Sequence, residues 1–285
     1  MRLILMGDLH YHDIEELIPG LAAARTAFYH TLLGRFMNTV GDWHISLGDL
    51  TNVGSPSELQ GVYELLQHEK QGRRFIHVLG NHDLYLLPRE QVLEMTGQKR
   101  YHAIDTDEAM LVFLDTAREL DITDWSGWVD EEQLRWLEAC VERSGSKPLL
   151  VFGHHPVYRT TSRSEMHNES IHPSIDMWRI LSRKKQGIGV YFNGHTHVNS
   201  IVSQSNWTFV QLAACLDHPE FRIVEVEGEH IRISTVDVAD EGMMDHADLM
   251  HKYMPFFDPN PDGRGQNADR HHVISLWTSA AVQPL

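Results

Sequence analysis

Gly7-Asp8-Leu9-His10 closes the first apolar run of the chain, residues 3–6. The run predicts a buried strand, and the polar residues stand at the point where that strand ends. Asp8 and His10 are two positions apart, so both side chains leave the same face of an extended backbone. A carboxylate and an imidazole that project together supply half of a metal site. Since the chain has 20 histidines, the pair alone is weak evidence.

Four more stretches have the same form, an apolar run that leads into glycine and then into polar residues. They are Gly48-Asp49, Gly80-Asn81-His82-Asp83, Gly153-His154-His155-Pro156 and Gly194-His195-Thr196-His197. Glycine at these positions permits a sharp turn and a close backbone approach. Strand patterns alternate with helical patterns up to Asn81, which predicts an α/β sheet with helices on both faces. Because such folds commonly place their sites at one edge of the sheet, we expect the five stretches to converge there.

Taken together, the five stretches resemble the motifs of the calcineurin-like metallophosphoesterases: D-x-H, G-D, G-N-H, an H-x-P-like element and G-H-x-H. All five occur in the family order, between residues 7 and 197. The resemblance implies an α/β fold that is a four-layer α-β-β-α metallophosphoesterase sandwich of mixed sheets with flanking helices. Within the family, the chain is most similar to the bacterial cyclic-nucleotide and glycerophosphodiester phosphodiesterase-like branch. It lacks the Asp-Arg-Gly element of Ser/Thr protein phosphatases, and Asn52 stands where purple acid phosphatases carry tyrosine.

The same resemblance implies two divalent metal ions as cofactors, each with four ligands. The ligands of the first ion are Asp8, His10, Asp49 and His197, and those of the second are Asp49, Asn81, His154 and His195. Asp49 bridges the two ions, because a carboxylate has two oxygens and can bind both ions at once. The family ligand is the histidine two before proline, which favours His154 and leaves His155 as the competing candidate. Histidine, aspartate and asparagine suit Mn, Fe and Zn alike, so the ligand set does not select among these metals.

The implied reaction is the hydrolysis of a small phosphodiester of the cyclic-nucleotide or glycerophosphodiester type, with a hydroxide held by the metals as nucleophile. The alternatives are a phosphomonoesterase, a nuclease and a non-catalytic scaffold on the same fold. The predicted catalytic residues are Asp49 and His82, which we expect to protonate the leaving oxygen. Asp83 either orients His82 or is a surface carboxylate.

Substrate binding is assigned to Asn81 and His82 at the metals and to two arginines beyond the His154 motif. Arg159 and Arg163 lie on the loop that leaves this motif, where a substrate-selecting lid is expected. Either guanidinium is suited to bind a second anionic or polar group of the substrate, because its planar fork pairs with two oxygens.

Composition restricts the partners of the protein. The formal charge of −16 disfavours a nucleic-acid groove, which needs a basic surface. No apolar run has the length of a membrane span, and Asp8 interrupts the first run too early for a secretory signal. We therefore predict a cytoplasmic protein that acts on a small phosphoester and does not bind membranes. The sequence is also compatible with a homo-oligomer.

The sequence predicts a catalytic domain over residues 1–238 and a C-terminal extension over residues 239–285. The extension has little periodicity, and we expect an arm that packs on the domain or on a partner subunit. It also contains a calcium-loop pattern that begins at Asp258 and places Asp269 at its last position, where glutamate is usual. Calcium binding and a plain surface arm are the two interpretations of this stretch.

Overall fold

The computed structural model describes residues 1–69 and 72–276. The strands in chain order are β1 (Arg2–Met6), β2 (Trp43–Ser46), β3 (Phe75–His77), β4 (His102–Asp105), β5 (Met110–Phe113), β6 (Leu149–Phe152), β7 (Gly189–Asn193), β8 (Ser200–Gln204), β9 (Trp207–Gln211), β10 (Glu220–Glu227), β11 (His230–Asp237) and β12 (His272–Ser275). The helices are α1 (Leu21–Asn38), α2 (Pro56–Glu69), α3 (Arg89–Thr96), α4 (Glu131–Arg143), α5 (Met177–Leu181), α6 (Glu241–His251) and α7 (Asn267–Arg270). A 3₁₀ turn covers His82–Leu84.

The strands form two six-stranded sheets, in the orders β12-β11-β10-β1-β2-β3 and β4-β5-β6-β7-β9-β8. In the first sheet β1, β2 and β3 run parallel, and the remaining neighbours pair antiparallel. In the second sheet β5, β6, β7 and β9 run parallel, and the edge strands β4 and β8 pair antiparallel. Both sheets are therefore mixed.

Strand β1 illustrates how the alternation of side chains builds the layers. Leu3 and Leu5 lie in the core between the two sheets. Ile4 and Met6 point the other way, into a cluster that contains residues of α1 and α6. A third cluster covers the outer face of the second sheet with residues of α4 and α5. The predicted four-layer α-β-β-α sandwich is thus confirmed.

The helix starts follow the side-chain caps that the sequence contains. At α2 the Glu58 amide donates to Ser55 Oγ (3.1 Å), and the Ser55 amide donates to Glu58 Oε2 (3.4 Å). At α4 the Gln133 amide donates to Asp130 (2.9 Å). The edge strand β4 is absent from the sequence-based prediction, because its mostly half-exposed residues show no apolar alternation.

The C-terminal extension packs on the domain, through α6 against α1 and through β12 at the edge of β11. The ends of the calcium-loop pattern do not face a common point. Asp269 Oδ2 accepts from the Gln266 amide at the start of α7 (3.0 Å), whereas Asp258 lines a cavity described below. Among the described residues, neither Asp258 nor Asp269 belongs to a cluster of His, Cys, Asp and Glu side chains that could hold a metal ion. Across residues 1–69 and 72–276, none of the helices combines the length and the apolar character that crossing a membrane requires.

Candidate metal centre

The seven predicted ligands come together where the parallel strands of both sheets end. Strands β1, β2 and β3 lead into Asp8, Asp49 and Asn81 respectively, and β6 and β7 lead into His154 and His195. Six of the seven side chains belong to buried residues, and the seventh, His197, is 13% exposed. The convergence expected from the sequence is therefore present at one edge of the sandwich.

A first ligand group consists of Asp8, His10 and His197, with Asp49 beside it. The Nε2 atoms of His10 and His197 are 3.1 Å apart, and His197 Nε2 is 3.8 Å from Asp8 Oδ1. His10 Nε2 lies 3.9 Å from Asp49 Oδ2. The ligand atoms of Asp8, His10 and His197 all lie within 4.8 Å of one another, close enough to hold one ion. The four side chains follow the ends of β1, β2 and β7.

A second ligand group surrounds His154. Its Nε2 atom lies 3.1 Å from Asn81 Oδ1, 3.2 Å from His195 Nδ1 and 3.2 Å from Asp49 Oδ2. Asp49 Oδ2 thus faces both groups, which is the position that a bridging carboxylate requires. Asn81 adds an uncharged oxygen, which limits the negative charge in the centre.

The two groups fit divalent cations on chemical grounds. Asp8 Oδ2 is buried without a hydrogen-bond partner, and two pairs of ring nitrogens face each other, His10 with His197 at 3.1 Å and His154 with His195 at 3.2 Å. Burial raises the pKa of the Asp8 carboxyl to about 7 and lowers the pKa of both His195 and His197 to about 3. At His154 the Asp49 carboxylate outweighs the effect of burial and raises the pKa to about 9. Imidazoles and carboxylates in one buried cluster are the donor set of Mn, Fe and Zn sites. The residues are therefore suited to hold two metal ions.

The ligand backbones are locally strained. Four of the seven residues have φ in the left-handed region, namely His10 (49°), Asp49 (47°), His195 (75°) and His197 (55°). This conformation costs about 1–2 kcal/mol for each residue with a Cβ atom, and it persists where the surrounding structure fixes it. Strain concentrated at one edge of the sandwich is typical of a functional site.

Backbone carbonyls determine which ring nitrogen two of the histidines present to the ligand groups. His154 Nδ1 lies 2.8 Å from the carbonyl oxygen of Leu47, and His195 Nε2 lies 3.0 Å from that of Asn168. Each of these nitrogens donates its proton to the carbonyl, so the other nitrogen is free to bind a cation.

His155, the alternative to His154, has both ring nitrogens engaged elsewhere. Nδ1 lies 2.9 Å from Thr116 Oγ1, and Nε2 lies 3.0 Å from the Trp125 carbonyl oxygen. His154 by contrast directs its free Nε2 into the second ligand group. The geometry favours His154, in agreement with its position relative to Pro156.

Asp83 fits neither of its predicted roles. It is fully buried and accepts from the amides of Thr51 (2.8 Å) and Gly80 (2.9 Å), and its Oδ2 lies 2.9 Å from His77 Nε2. It therefore fixes the loops that carry Asp49 and Asn81 rather than the His82 ring, and it is not a surface carboxylate. The sequence pattern did not indicate that Asp83 pairs with His77.

The ring of His82 is held by a backbone carbonyl that the sequence pattern did not indicate. Its Nδ1 atom donates to the backbone carbonyl of Asn52 (2.6 Å), and its ring centroid lies 4.5 Å from that of His10. The His82 amide also donates to Asp49 Oδ1 (2.9 Å). The ring is thus fixed beside both ligand groups, with Nε2 as the nitrogen free to exchange a proton.

A cavity of about 270 Å³ opens above the two groups. Its lining includes candidate ligands and His82, Asp258 of the calcium-loop pattern, and also side chains that the sequence did not single out: Tyr85, Ile122, Trp125, Glu169 and Phe256. Arg163 lines this cavity, donates to the Thr196 carbonyl (3.2 Å) and lies 3.6 Å from Glu169. Arg159 is not among the lining residues, and its guanidinium lies over the Tyr158 ring.

Three comparisons relate this arrangement to known proteins. The glycerophosphodiester phosphodiesterase GpdQ of Enterobacter lignolyticus (strain SCF1) is 32% identical over 115 residues, which are 38% of this chain and 40% of that protein. A dimetal phosphatase from Danio rerio superposes with a TM-score of 0.67 at 14% identity, over 84% of this chain and 96% of that one. A purple acid phosphatase from yellow lupin (Lupinus luteus) seeds gives 0.57 at 11% identity, over 96% and 53%.

The two structural similarities concern the fold, because both identities are low. The GpdQ similarity covers less than half of either protein. The sequence model of the calcineurin-like phosphoesterases, in contrast, matches residues 1–199, which contain all five motifs and every residue of the two ligand groups. The chain belongs to the calcineurin-like phosphoesterase family.

Proposed function

We propose that this protein hydrolyses a small phosphodiester with the help of two divalent metal ions. The observation that carries the proposal is the pair of ligand groups that share Asp49 at the floor of one cavity. The ligands of the first ion are Asp8, His10, Asp49 and His197, and those of the second are Asp49, Asn81, His154 and His195. When bound, such ions generate a nucleophile from water near neutral pH and neutralise negative charge on the phosphate.

His82 is the proton donor to the leaving oxygen in this proposal. Its Nδ1 proton is committed to the Asn52 carbonyl, so Nε2 is the atom that exchanges the proton. The side-chain amide of Asn81 donates from Nδ2 to the Tyr85 hydroxyl (2.7 Å). This hydrogen bond turns Asn81 Oδ1 towards the second ligand group. Both residues are thereby preorganised before the substrate arrives.

Charge supports a diester over a monoester. A phosphomonoester carries one more negative charge near neutral pH and needs an additional positive partner. Among the described residues that line the cavity, Arg163 is the one lysine or arginine, and it already lies 3.6 Å from Glu169. Two divalent ions outweigh the charges of Asp8 and Asp49 locally, so a monoanion is attracted despite the net charge of −16. The partial similarity to a glycerophosphodiester phosphodiesterase supports the same choice.

The diester preference predicts a ratio of two rates with one leaving group. We expect kcat/KM for bis(p-nitrophenyl) phosphate to exceed that for p-nitrophenyl phosphate by about tenfold or more, equal to about 1.4 kcal/mol. Both are measured on protein with a known metal content. The reverse ratio indicates a phosphomonoesterase, and turnover of neither ester by the fully metallated protein indicates the scaffold alternative.

Arg163 is the cavity arginine that we expect to bind the part of the substrate beyond the phosphate. In Arg163→Ala, KM for a glycerophosphodiester should rise about tenfold with little change in kcat, because the lost contact is the same in the ground and transition states. Arg159→Ala is the matched control, since this arginine lies on the same loop outside the cavity lining. A KM that stays at the parent value in both variants would show that the loop does not select the substrate. Two further expectations from the sequence remain predictions, namely the cytoplasmic location of the protein and its homo-oligomeric state.

A further inference from the structure

The C-terminal extension reaches the first ligand group through residues 254–263, here called the tail segment. The Phe257 ring stacks on His197, with centroids 5.3 Å apart and planes at 29°, and packs against His10 at 4.8 Å. His251 stacks on Phe257, also at 5.3 Å. Phe257 is buried, so the extension covers two candidate ligands of the first ion with an aromatic ring.

Polar contacts fasten the tail segment to the backbone of the same ligand. The Asn260 side-chain amide donates to the His197 carbonyl (3.3 Å), and the Asn199 amide donates to the Gly263 carbonyl (2.7 Å). A Cβ atom at Gly263 would lie 2.1 Å from the His197 carbonyl oxygen, so the two backbones are in direct contact. The position of His197 is therefore tied to that of the tail segment.

Asp217 links the tail segment to the His197 ring. Its Oδ2 atom accepts from the Asn260 amide (2.9 Å) and lies 4.0 Å from His197 Nδ1. Its Oδ1 atom, buried and without a hydrogen-bond partner, lies 3.5 Å from His251 Nε2.

Two of the other candidate ligand histidines are held by a contact at the second ring nitrogen. The non-ligating nitrogens of His154 and His195 donate to the carbonyls of Leu47 and Asn168, which lie within the residues that match the family. The group near the Nδ1 atom of His197 is the Asp217 carboxylate, 4.0 Å away, and Asp217 lies after residue 199, where the match to the family ends. An acceptor at the second nitrogen fixes the tautomer and the orientation of a ligating imidazole.

We propose that the tail segment and Asp217 position His197, and that the first metal site is complete only when the C-terminal extension is docked. This inference rests on the two-metal centre of the proposed function. The negative charge of Asp217, 4.0 Å from Nδ1, favours the proton on that nitrogen, and Nε2 is then directed towards Asp8 and His10. The stacked Phe257 ring keeps the imidazole plane in place and excludes water from its outer face. Asp217 and Phe257 are positioning residues, because neither faces the substrate cavity.

Two variants test the proposal through metal affinity. Asp217→Asn removes the charged acceptor, and Phe257→Leu removes the stacked ring while keeping apolar volume. Each should weaken binding of the first ion about 10–100-fold. The affinity is measured by Co²⁺ titration of the metal-free protein, in an Asn81→Ala background that isolates the first site. Val273→Ala is the control within the same C-terminal extension, since this side chain on β12 is exposed and does not line the cavity.

A second measurement requires no metal and no turnover. The ¹⁵N chemical shifts of His197 in the metal-free protein report which ring nitrogen carries the proton. We expect the Nδ1-protonated form in the parent protein and a mixture of both tautomers in Asp217→Asn. An unchanged tautomer together with unchanged Co²⁺ affinity in both variants would overturn the proposal. If the parent protein hydrolyses no phosphoester, the proposed function fails, while the tautomer and the Co²⁺ affinity still decide this inference.

Discussion

The Asp49→Asn variant is expected to lose both metal ions together and to lose about 10³-fold or more in kcat/KM, equal to about 4 kcal/mol of transition-state stabilisation. Asp49 Oδ2 lies 3.2 Å from His154 Nε2 and 3.9 Å from His10 Nε2, so one atom faces both ligand groups. An amide has one oxygen and no charge, so it cannot replace a bridging carboxylate. Burial acts to raise the pKa of Asp49, but His154 and His82 outweigh it, and the pKa lies well below the ordinary value.

The measurement is the metal content after dialysis against a defined free-metal concentration, together with diester hydrolysis. Asn81→Ala provides the contrast, because Asn81 lies 3.1 Å from His154 and belongs to the second group alone. It should release mainly one ion. Retention of two ions at parent affinity in Asp49→Asn would refute the shared-ligand arrangement.

The His82→Ala variant is expected to keep both ions yet to lose about 10²–10⁴-fold in kcat for alkyl esters, whose leaving oxygen needs a proton. For nitrophenyl esters the loss should be under about tenfold, since nitrophenolate leaves without protonation. The structural reason is the fixed ring, with Nδ1 held by the Asn52 carbonyl and Nε2 free. The rate therefore depends more steeply on the pKa of the leaving group in the variant than in the parent protein. An equal loss across the whole series, at unchanged metal content, would exclude His82 as the proton donor.

The ligand residues were predictable because each occupies the end of an apolar strand, and strand ends of both sheets meet at one edge. The spacing of Asp8 and His10, or of His195 and His197, is a local property that the sequence displays. The continuous apolar run of residues 3–6 likewise predicted a buried strand, which is β1. These signals need no knowledge of distant contacts.

The support around the ligands was not predictable in the same way. His82 is oriented by the carbonyl of Asn52, and a backbone acceptor leaves no trace in the side-chain pattern. Asp83 pairs with His77 because the loops bring them together, and each residue read alone resembles an ordinary polar residue. The tail segment contacts His197 across some sixty residues of sequence, for example through Asn260. Such long-range contacts depend on how α6 packs on α1, which local periodicity does not encode.

The number of metal ions that activate hydrolysis tests the two-metal centre most directly. Metal-free protein is titrated with Mn²⁺ while bound metal and hydrolysis of bis(p-nitrophenyl) phosphate are recorded in the same samples. We predict that the protein binds two equivalents and that hydrolysis reaches its maximum only as the second equivalent is bound. Full hydrolysis with one equivalent, or hydrolysis that persists in the metal-free protein, would contradict a centre in which Asp49 joins two ions.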